Sequence, residues 1–237
     1  MADIALILGA YLLGSAPHLP ALAGLRHVSL DGDYHSSLWH KAGIPTGLVG
    51  ILGEFAKGII PVITGRLFDF DLAITAVAGL AAVCGQMWPV FARFDGEKGN
   101  TIGLAMATAL ATTAMIIAII PVAVAVAIRT LPRILNRGNS HKRRSIFGGP
   151  PSLGMPLGMI SAFLVLPLAS WYLGKPLEVI LGCLGLLIII LLRRLTAGVR
   201  RDFKTGAHMK NILKNRLLYD RAVSVIRGNE GSAKRAN

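Results

Sequence analysis

The chain has 237 residues, 53% hydrophobic and 16% charged, with a mean hydropathy of +0.59 and a formal net charge of +13. A soluble domain of this length carries about a quarter charged residues, so the composition excludes an ordinary soluble fold. The apolar residues lie in long runs, and about 20 of them in a helix cross the hydrocarbon core. The expected fold is therefore all-α: a polytopic membrane bundle, a single integral membrane domain over 1–237, whose residues 193–237 form a basic cytoplasmic tail.

The first run, Ile4–Leu25, has Asp3 as its only early charge and continues as Gly14-Ser15-Ala16-Pro17-His18-Leu19-Pro20. Without a basic n-region it reads as a retained span, not a cleaved signal peptide. The loop 26–45 holds His27, His35 and His40, a grouping without the tight spacing of metal ligands; neither a metal nor an organic cofactor is expected. Thr46–Phe68 is the next span, with Gly47, Gly50, Gly53 and Gly58 for close helix packing. Glu54 and Lys57 are three residues apart, hence on one helix face. They either neutralise each other inside the bundle or leave Lys57 to attract an anion.

Leu72–Ala92 is uncharged and leads into Gly85-Gln86-Met87-Trp88-Pro89-Val90-Phe91-Ala92-Arg93-Phe94-Asp95-Gly96-Glu97-Lys98-Gly99-Asn100-Thr101. Trp88 and Phe91 suit the membrane interface. Gly96, Lys98 and Gly99 form a turn that opens a helix, and a helix N-terminus flanked by glycine N–H groups and a lysine suits phosphate. A plain interhelical turn explains the same residues. Thr101–Ile128 is uncharged for 28 residues. As one span it gives six crossings; broken near Pro121 or bent at Ala111–Ala114 it gives seven.

Arg129–Pro150 has six Lys or Arg and no acid, including Lys142-Arg143-Arg144. Met155–Leu173 and Leu177–Leu192 are the last spans, and twelve Lys or Arg against three acids follow from Arg193 onward. The positive-inside rule puts both basic segments in the cytoplasm, where they also attract anionic lipid headgroups. Nucleic-acid binding is not expected, since these charges flank spans and no recognition motif accompanies them. In the tail, His208, Asn211 and Lys214 fall on one helical face, which a lipid-surface amphipathic helix also explains. Cys84 and Cys183 lie inside apolar runs and read as packing residues.

Taken together, these segments resemble the bacterial membrane glycerol-3-phosphate acyltransferases that use acyl phosphate as donor, the PlsY family. Gly14-Ser15-Ala16-Pro17 resembles the family's early Gly-Ser-Ile-Pro. Lys41-Ala42-Gly43 and Glu54-Phe55-Ala56-Lys57-Gly58 resemble its Lys-Ala-Gly and Asp-x-x-Lys-Gly. Gly85 through Gly99 resembles its Gly-His-x-Phe-Pro-x-Phe-x-x-Phe-Lys-Gly-Gly-Lys-Gly, and His208-x-x-Asn211-Ile212 its His-Arg-x-Asn-Ile. Departures are Gln86 for a His, Asp95 for a Lys, Glu97 for a Gly, and Asp31–Gly43 in place of an Asn-rich substrate loop.

The resemblance implies seven spans with the motifs on the cytoplasmic face of a bacterial inner membrane. It implies transfer of a fatty acyl group from acyl phosphate to the 1-hydroxyl of glycerol 3-phosphate, in phospholipid synthesis. Lys98, His208 and Asn211 are the implied catalytic residues. Ser15, Lys41, Lys57, Gln86, Gly96, Lys98, Gly99 and Lys214 are the implied substrate-binding ones. The acidic Asp95 and Glu97 also fit an altered-substrate or non-catalytic paralogue. A small transporter is the remaining alternative, against which stands the lack of an internal repeat.

Overall fold

A computed structural model describes residues 1–30, 34–135, 154–197 and 208–220, and all regular structure among them is helical. Helices α1 (Ala2–Ser15) and α2 (His18–Leu25) form the first membrane-length element. It is broken at Pro17, which has no backbone donor to continue a helix. A short α3 (Tyr34–Ser37) and a π-helical turn (Leu38–Ala42) lead through Gly43, at φ +92°, into α4 (Ile44–Leu67). Next come α5 (Leu72–Met87), a 3-10 turn (Val90–Ala92), α6 (Asn100–Leu110), α7 (Thr112–Ala118) and α8 (Ile120–Leu135). The remaining described helices are α9 (Gly154–Tyr172), α10 (Leu177–Thr196) and α11 (Met209–Tyr219). Among the described residues six elements are long and apolar enough to cross a membrane, and α6 is a shorter apolar helix. The Lys142-Arg143-Arg144 cluster lies outside the described residues.

Helix α5 is central, packed on α1, α4, α6 and α10, while α9 joins α7, α8 and α10. Lipid tails are as apolar as the side chains, so close contact rather than water exclusion drives this packing. At Gly14 a methyl group would run into the backbone of Ala82, and at Gly85 into the backbone of Tyr11. The main chains of α1 and α5 therefore touch. The glycines of α4 act as packing residues: Gly47 meets Trp39, Gly50 meets Leu19, Gly53 meets His18 and Gly58 meets α6. Phe163, Met106 and Leu186 are fully buried between helices, whereas Ile116, Leu168 and Ile188 face outward.

The 28-residue uncharged run is not one helix. It breaks at Ala111, whose φ −140° and ψ 57° are non-helical, and again at Ile119 ahead of Pro121. The 11 residues of α6 rise about 16 Å, roughly half the hydrocarbon core. Arg66 Nη2 donates to the Leu110 carbonyl at 2.8 Å, where a freed backbone oxygen inside the membrane needs a partner. The second part gains a full crossing by continuing past Ile128 to Leu135.

Contacts across the bundle fix the number of crossings. Lys98, just before α6, bonds Asp220 after α11, and Arg193 at the end of α10 bonds Asp95. The loop before α6 and the end of α10 thus share one face. Helices α9 and α10 make two crossings between them, so the chain from α6 to α8 must leave that face and return. The seven-helix arrangement follows, with α6 as the short inward arm.

Arg193 and Arg194, read in the sequence as the start of the tail, belong to the last turn of α10, and both are buried. Arg194 donates to the carbonyls of Leu217 (3.1 Å) and Pro156 (3.2 Å), tying α11 to α9 and α10.

Candidate functional site

At the shared face a cavity of about 510 Å³ opens between the α1–α2 break, α3, α4, the end of α5, the start of α6 and the end of α10. Its size suits a small ligand headgroup. Its floor is a chain of buried polar groups. Pro17 ends α1 and frees carbonyls at its C-terminus, and Lys57 from α4 donates to those of Gly14 (3.3 Å) and Ala16 (2.5 Å). A cation at a helix C-terminus is favoured by the helix dipole as well. Lys57 also donates to Gln86 Oε1 at 3.2 Å, and Gln86 Nε2 donates to Glu54 Oε1. Gln86 thus stands between Glu54 and Lys57, which the sequence had offered as a direct pair. The orientation of its amide follows from charge: the oxygen faces the ammonium and the NH₂ faces the carboxylate. The other Glu54 oxygen lies 3.0 Å from His35 Nε2.

The rim is the loop between α5 and α6. Its backbone folds back on α5, with Gly96 N–H bonded to the Met87 carbonyl (3.2 Å) and Glu97 N–H to the Gln86 carbonyl (3.1 Å). A side chain at position 96 would run into the Gln86 carbonyl and the Pro89 ring, so glycine is required there. Gly99 takes φ +71°, the left-handed conformation that lets the chain turn into α6. The first N–H groups of a helix have no carbonyl ahead of them, and Asn100 and Thr101, at this helix start, line the cavity.

Arg193 holds the rim in place. It donates to the Glu97 carbonyl (3.3 Å), the Gly96 carbonyl (2.5 Å) and Asp95 Oδ1 (3.2 Å), and lies 5.8 Å from the centre of the Trp88 ring. The carboxylate of Asp95 is therefore answered by Arg193, not by its neighbour Arg93, and it points outward with 86% exposure. Lys98 lines the cavity, but its ammonium bonds both Asp220 Oδ2 and the Asp220 carbonyl, each at 2.9 Å. Ser15 Oγ, at the end of α1, is buried without a hydrogen-bond partner and lines the same space.

Among the expected site residues, the cavity gathers Ser15, Lys57, Gln86, Gly96, Lys98 and Gly99. It does not gather Lys41, whose exposed ammonium bonds the carbonyl (3.0 Å) and Oγ (2.8 Å) of Ser29. Nor does it gather His208, Asn211 and Lys214, which are exposed on α11 while Ile212 and Arg216 form that helix's buried face. Residues the sequence reading left out of the site are His18, His35, Glu54, Asn100, Thr101 and Arg193. His18 follows the Ser-Ala-Pro break directly, a position that could have flagged it. Nothing in the sequence links Arg193 to a loop about a hundred residues before it.

Fold and site together define an integral membrane protein whose helices enclose a mixed-charge cavity under a glycine-bearing loop. The chain belongs to the glycerol-3-phosphate acyltransferase family, whose model matches residues 4–201. It is similar to a glycerol-3-phosphate acyltransferase of Rubrobacter xylanophilus, 34% identical over 117 residues that are 47% of this chain and 58% of that protein. It is likewise similar to one of Geotalea daltonii, 34% identical over 47% of this chain and 63% of that protein. These matches span under two thirds of the relatives' own length. A longer match, to the enzyme of that name in Endomicrobium trichonymphae, covers 87% of this chain and 94% of that protein at 25% identity. Crystal structures of PlsY, an integral membrane glycerol 3-phosphate acyltransferase, share the fold. The lysophosphatidic acid form has a TM-score of 0.65 at 23% identity, over 88% of this chain and 95% of that one. The glycerol 3-phosphate form has a TM-score of 0.61 at 22% identity over the same shares.

Proposed function

We propose that the protein transfers a fatty acyl group from acyl phosphate to the 1-hydroxyl of glycerol 3-phosphate, at the cytoplasmic face of a bacterial inner membrane. The observation that carries this reading is the cavity itself. It joins the Gly14–Pro17, Glu54–Gly58 and Gly85–Gly99 segments beneath one helix N-terminus, with a buried lysine below it. Family membership names the acceptor class. The donor follows from the resemblance of the Gly85–Gly99 loop. Arg193 and Arg194 at the cavity end of α10 support a cytoplasmic position for that end under the positive-inside rule.

In this reading the N–H groups at the start of α6 and the Lys98 ammonium hold phosphate, and Ser15 donates its hydroxyl proton to a phosphate oxygen. Lys98 must then release Asp220, so a phosphate dianion competes with a carboxylate for one ammonium. The acceptor's 1-oxygen bonds to the acyl carbonyl carbon, the bond from that carbon to the phosphate oxygen breaks, and the hydroxyl proton passes to phosphate. The products are 1-acylglycerol 3-phosphate and inorganic phosphate. Since the donor is already activated, the protein's task is positioning and charge stabilisation. Lys41, His208, Asn211 and Lys214 are assigned no contact with substrate.

The test uses purified protein in detergent with palmitoyl phosphate and labelled glycerol 3-phosphate. Wild type forms labelled lysophosphatidate, and Lys98→Ala lowers kcat/KM by at least ~10-fold, the loss expected for one charge-assisted contact. Folded protein that makes no product over several donor chain lengths would sink the reading.

A further inference from the structure

A second, apolar groove of about 340 Å³ runs between α1 and α4, with Leu6, Gly9 and Leu13 on one side and Ile60, Pro61 and Thr64 on the other. It begins where the cavity ends. On α1 the groove residues Ala5, Gly9 and Leu13 recur every four positions, hence on one helix face, and the same face then reaches Ala16 and Pro17, which line the cavity. On α4, Thr64 and Ile60 lead at spacings of four and three to Lys57 and Glu54, which also line the cavity. Two helix faces thus run from the cavity into the groove, and the side chains turn from charged to apolar on the way.

Gly9 keeps the groove open. At Gly14 and Gly85 the missing side chain admits a neighbouring backbone, but at Gly9 no heavy atom lies within 4 Å of where a Cβ would stand. Glycine inside a helix is unfavourable relative to a residue with a side chain. Here it serves no close packing and leaves room instead. From Leu13 back to Ala5 the groove follows α1 for about 12 Å. Gly9 and Ile60 are exposed on the outer surface of the bundle, so a chain can enter sideways from the bilayer. At the junction stands Ser15, whose Oγ is buried without a partner and lines the cavity. The pair of spaces fits an amphiphile with a small polar head at Ser15 and an apolar tail beyond Leu13.

We propose that the α1–α4 groove takes the acyl chain of the donor, and that Gly9 sets how long a chain is accepted. The inference rests on the proposed function for the identity of the headgroup. Lipid tails are as apolar as the groove, so moving a chain from the bilayer into it adds little affinity. What the groove supplies is alignment. A chain laid along α1 past Gly9 and Leu13 brings its carbonyl end to the Gly14–Pro17 break, where the cavity holds the phosphate, and orientation of that kind acts on rate. A side chain at position 9 blocks the path of a long chain and leaves a short one untouched.

Two measurements on full-length protein in detergent test this. In the first, a hexadecanoyl phosphonate with a photoreactive diazirine midway along its chain is crosslinked to wild type, and the labelled residues are mapped by mass spectrometry. Label is expected within Ala5–Leu13 or Ile60–Thr64, displaced by excess unmodified phosphonate. Label elsewhere, or label in the groove that the competitor does not displace, overturns the proposal; the latter marks a place for any lipid tail. In the second, Gly9→Leu is compared with Gly24→Leu, a substitution on α2 that also meets open space but lies outside the groove. Gly9→Leu should lower the ratio of kcat/KM for palmitoyl phosphate to that for butyryl phosphate by at least ~10-fold, and Gly24→Leu should leave the ratio at its wild-type value. An unchanged ratio in Gly9→Leu removes the role given to Gly9. Acyl transfer with label outside the groove keeps the proposed function and overturns the groove. Displaceable label in the groove of a protein that transfers no acyl group upholds the groove and removes the reaction.

Discussion

The floor and the rim of the cavity both depend on a buried cation that donates to backbone carbonyls, yet the two cations hold different things. Lys57, 5% exposed, is bonded to the broken end of α1 and through Gln86 to Glu54, so it joins three membrane helices. Arg193, 6% exposed, spans from the end of α10 to one loop. The floor is part of what keeps the bundle together. The rim is a loop whose position depends on one guanidinium. Losses at the floor should therefore appear as stability, and losses at the rim as rate.

The largest effect is expected at the floor. Lys57→Met removes the ammonium that the Gly14 and Ala16 carbonyls share, leaving Ala16 only the His18 N–H, and takes the nearby positive charge from Glu54. Removing one member of such a buried charged network costs about 3 kcal/mol. The measurement is the midpoint of unfolding in a graded denaturing detergent. A midpoint within error of wild type would show that the broken end of α1 does not need Lys57, and the contrast between floor and rim would lose its basis.

Next comes the rim. Arg193→Ala should leave the unfolding midpoint nearly unchanged and lower kcat/KM by about 100-fold, the scale of a misplacement of about 1 Å. Arg193→Lys should recover little, because a single ammonium cannot reach both loop carbonyls and Asp95 as the planar guanidinium does. Asp95→Asn should change activity by no more than ~2-fold, since an exposed ion pair contributes little. If Asp95→Asn proves as harmful as Arg193→Ala, the loop is held by the ion pair and not by the carbonyl contacts.

This contrast also explains how much could be read before any coordinates. Spans were legible because uncharged runs of about 20 residues are constrained by membrane thickness, and α4, α5, α9 and α10 lie where those runs do. The break at Ala111 was legible only as an alternative. No proline or glycine stands there, and its stabilising contact comes from Arg66 on another helix. Ser15, Lys57 and the Gly96–Gly99 turn were legible because a broken span, an intramembrane charge and a glycine-bearing loop each carry a local signature. Arg193 and His35 were not, because their roles depend on which helix ends the fold brings together. The Glu54–Lys57 spacing correctly placed both residues on one face, yet gave no hint that Gln86 from α5 would lie between them.

The smallest effects are expected on the outer face of α11, and they sharpen the comparison most. His208, Asn211 and Lys214 have the spacing of a site motif, but the helix turns Ile212 and Arg216 inward and leaves those three exposed. Spacing fixes which residues share a face; packing decides which face looks inward. Here the apolar Ile212 and the tether from Arg194 to the Leu217 carbonyl settle that choice. Exposed substitutions away from caps and networks usually stay within about 0.5 kcal/mol, about a twofold change in rate. Asn211→Ala and Lys214→Ala should therefore retain kcat/KM within ~2-fold of wild type. A drop of tenfold or more in kcat with KM unchanged would mean that this face meets the substrate during turnover. The tail helix would then have to leave Asp220's contact with Lys98 and turn about its α10 tether, and the rim would be built from two moving parts rather than one.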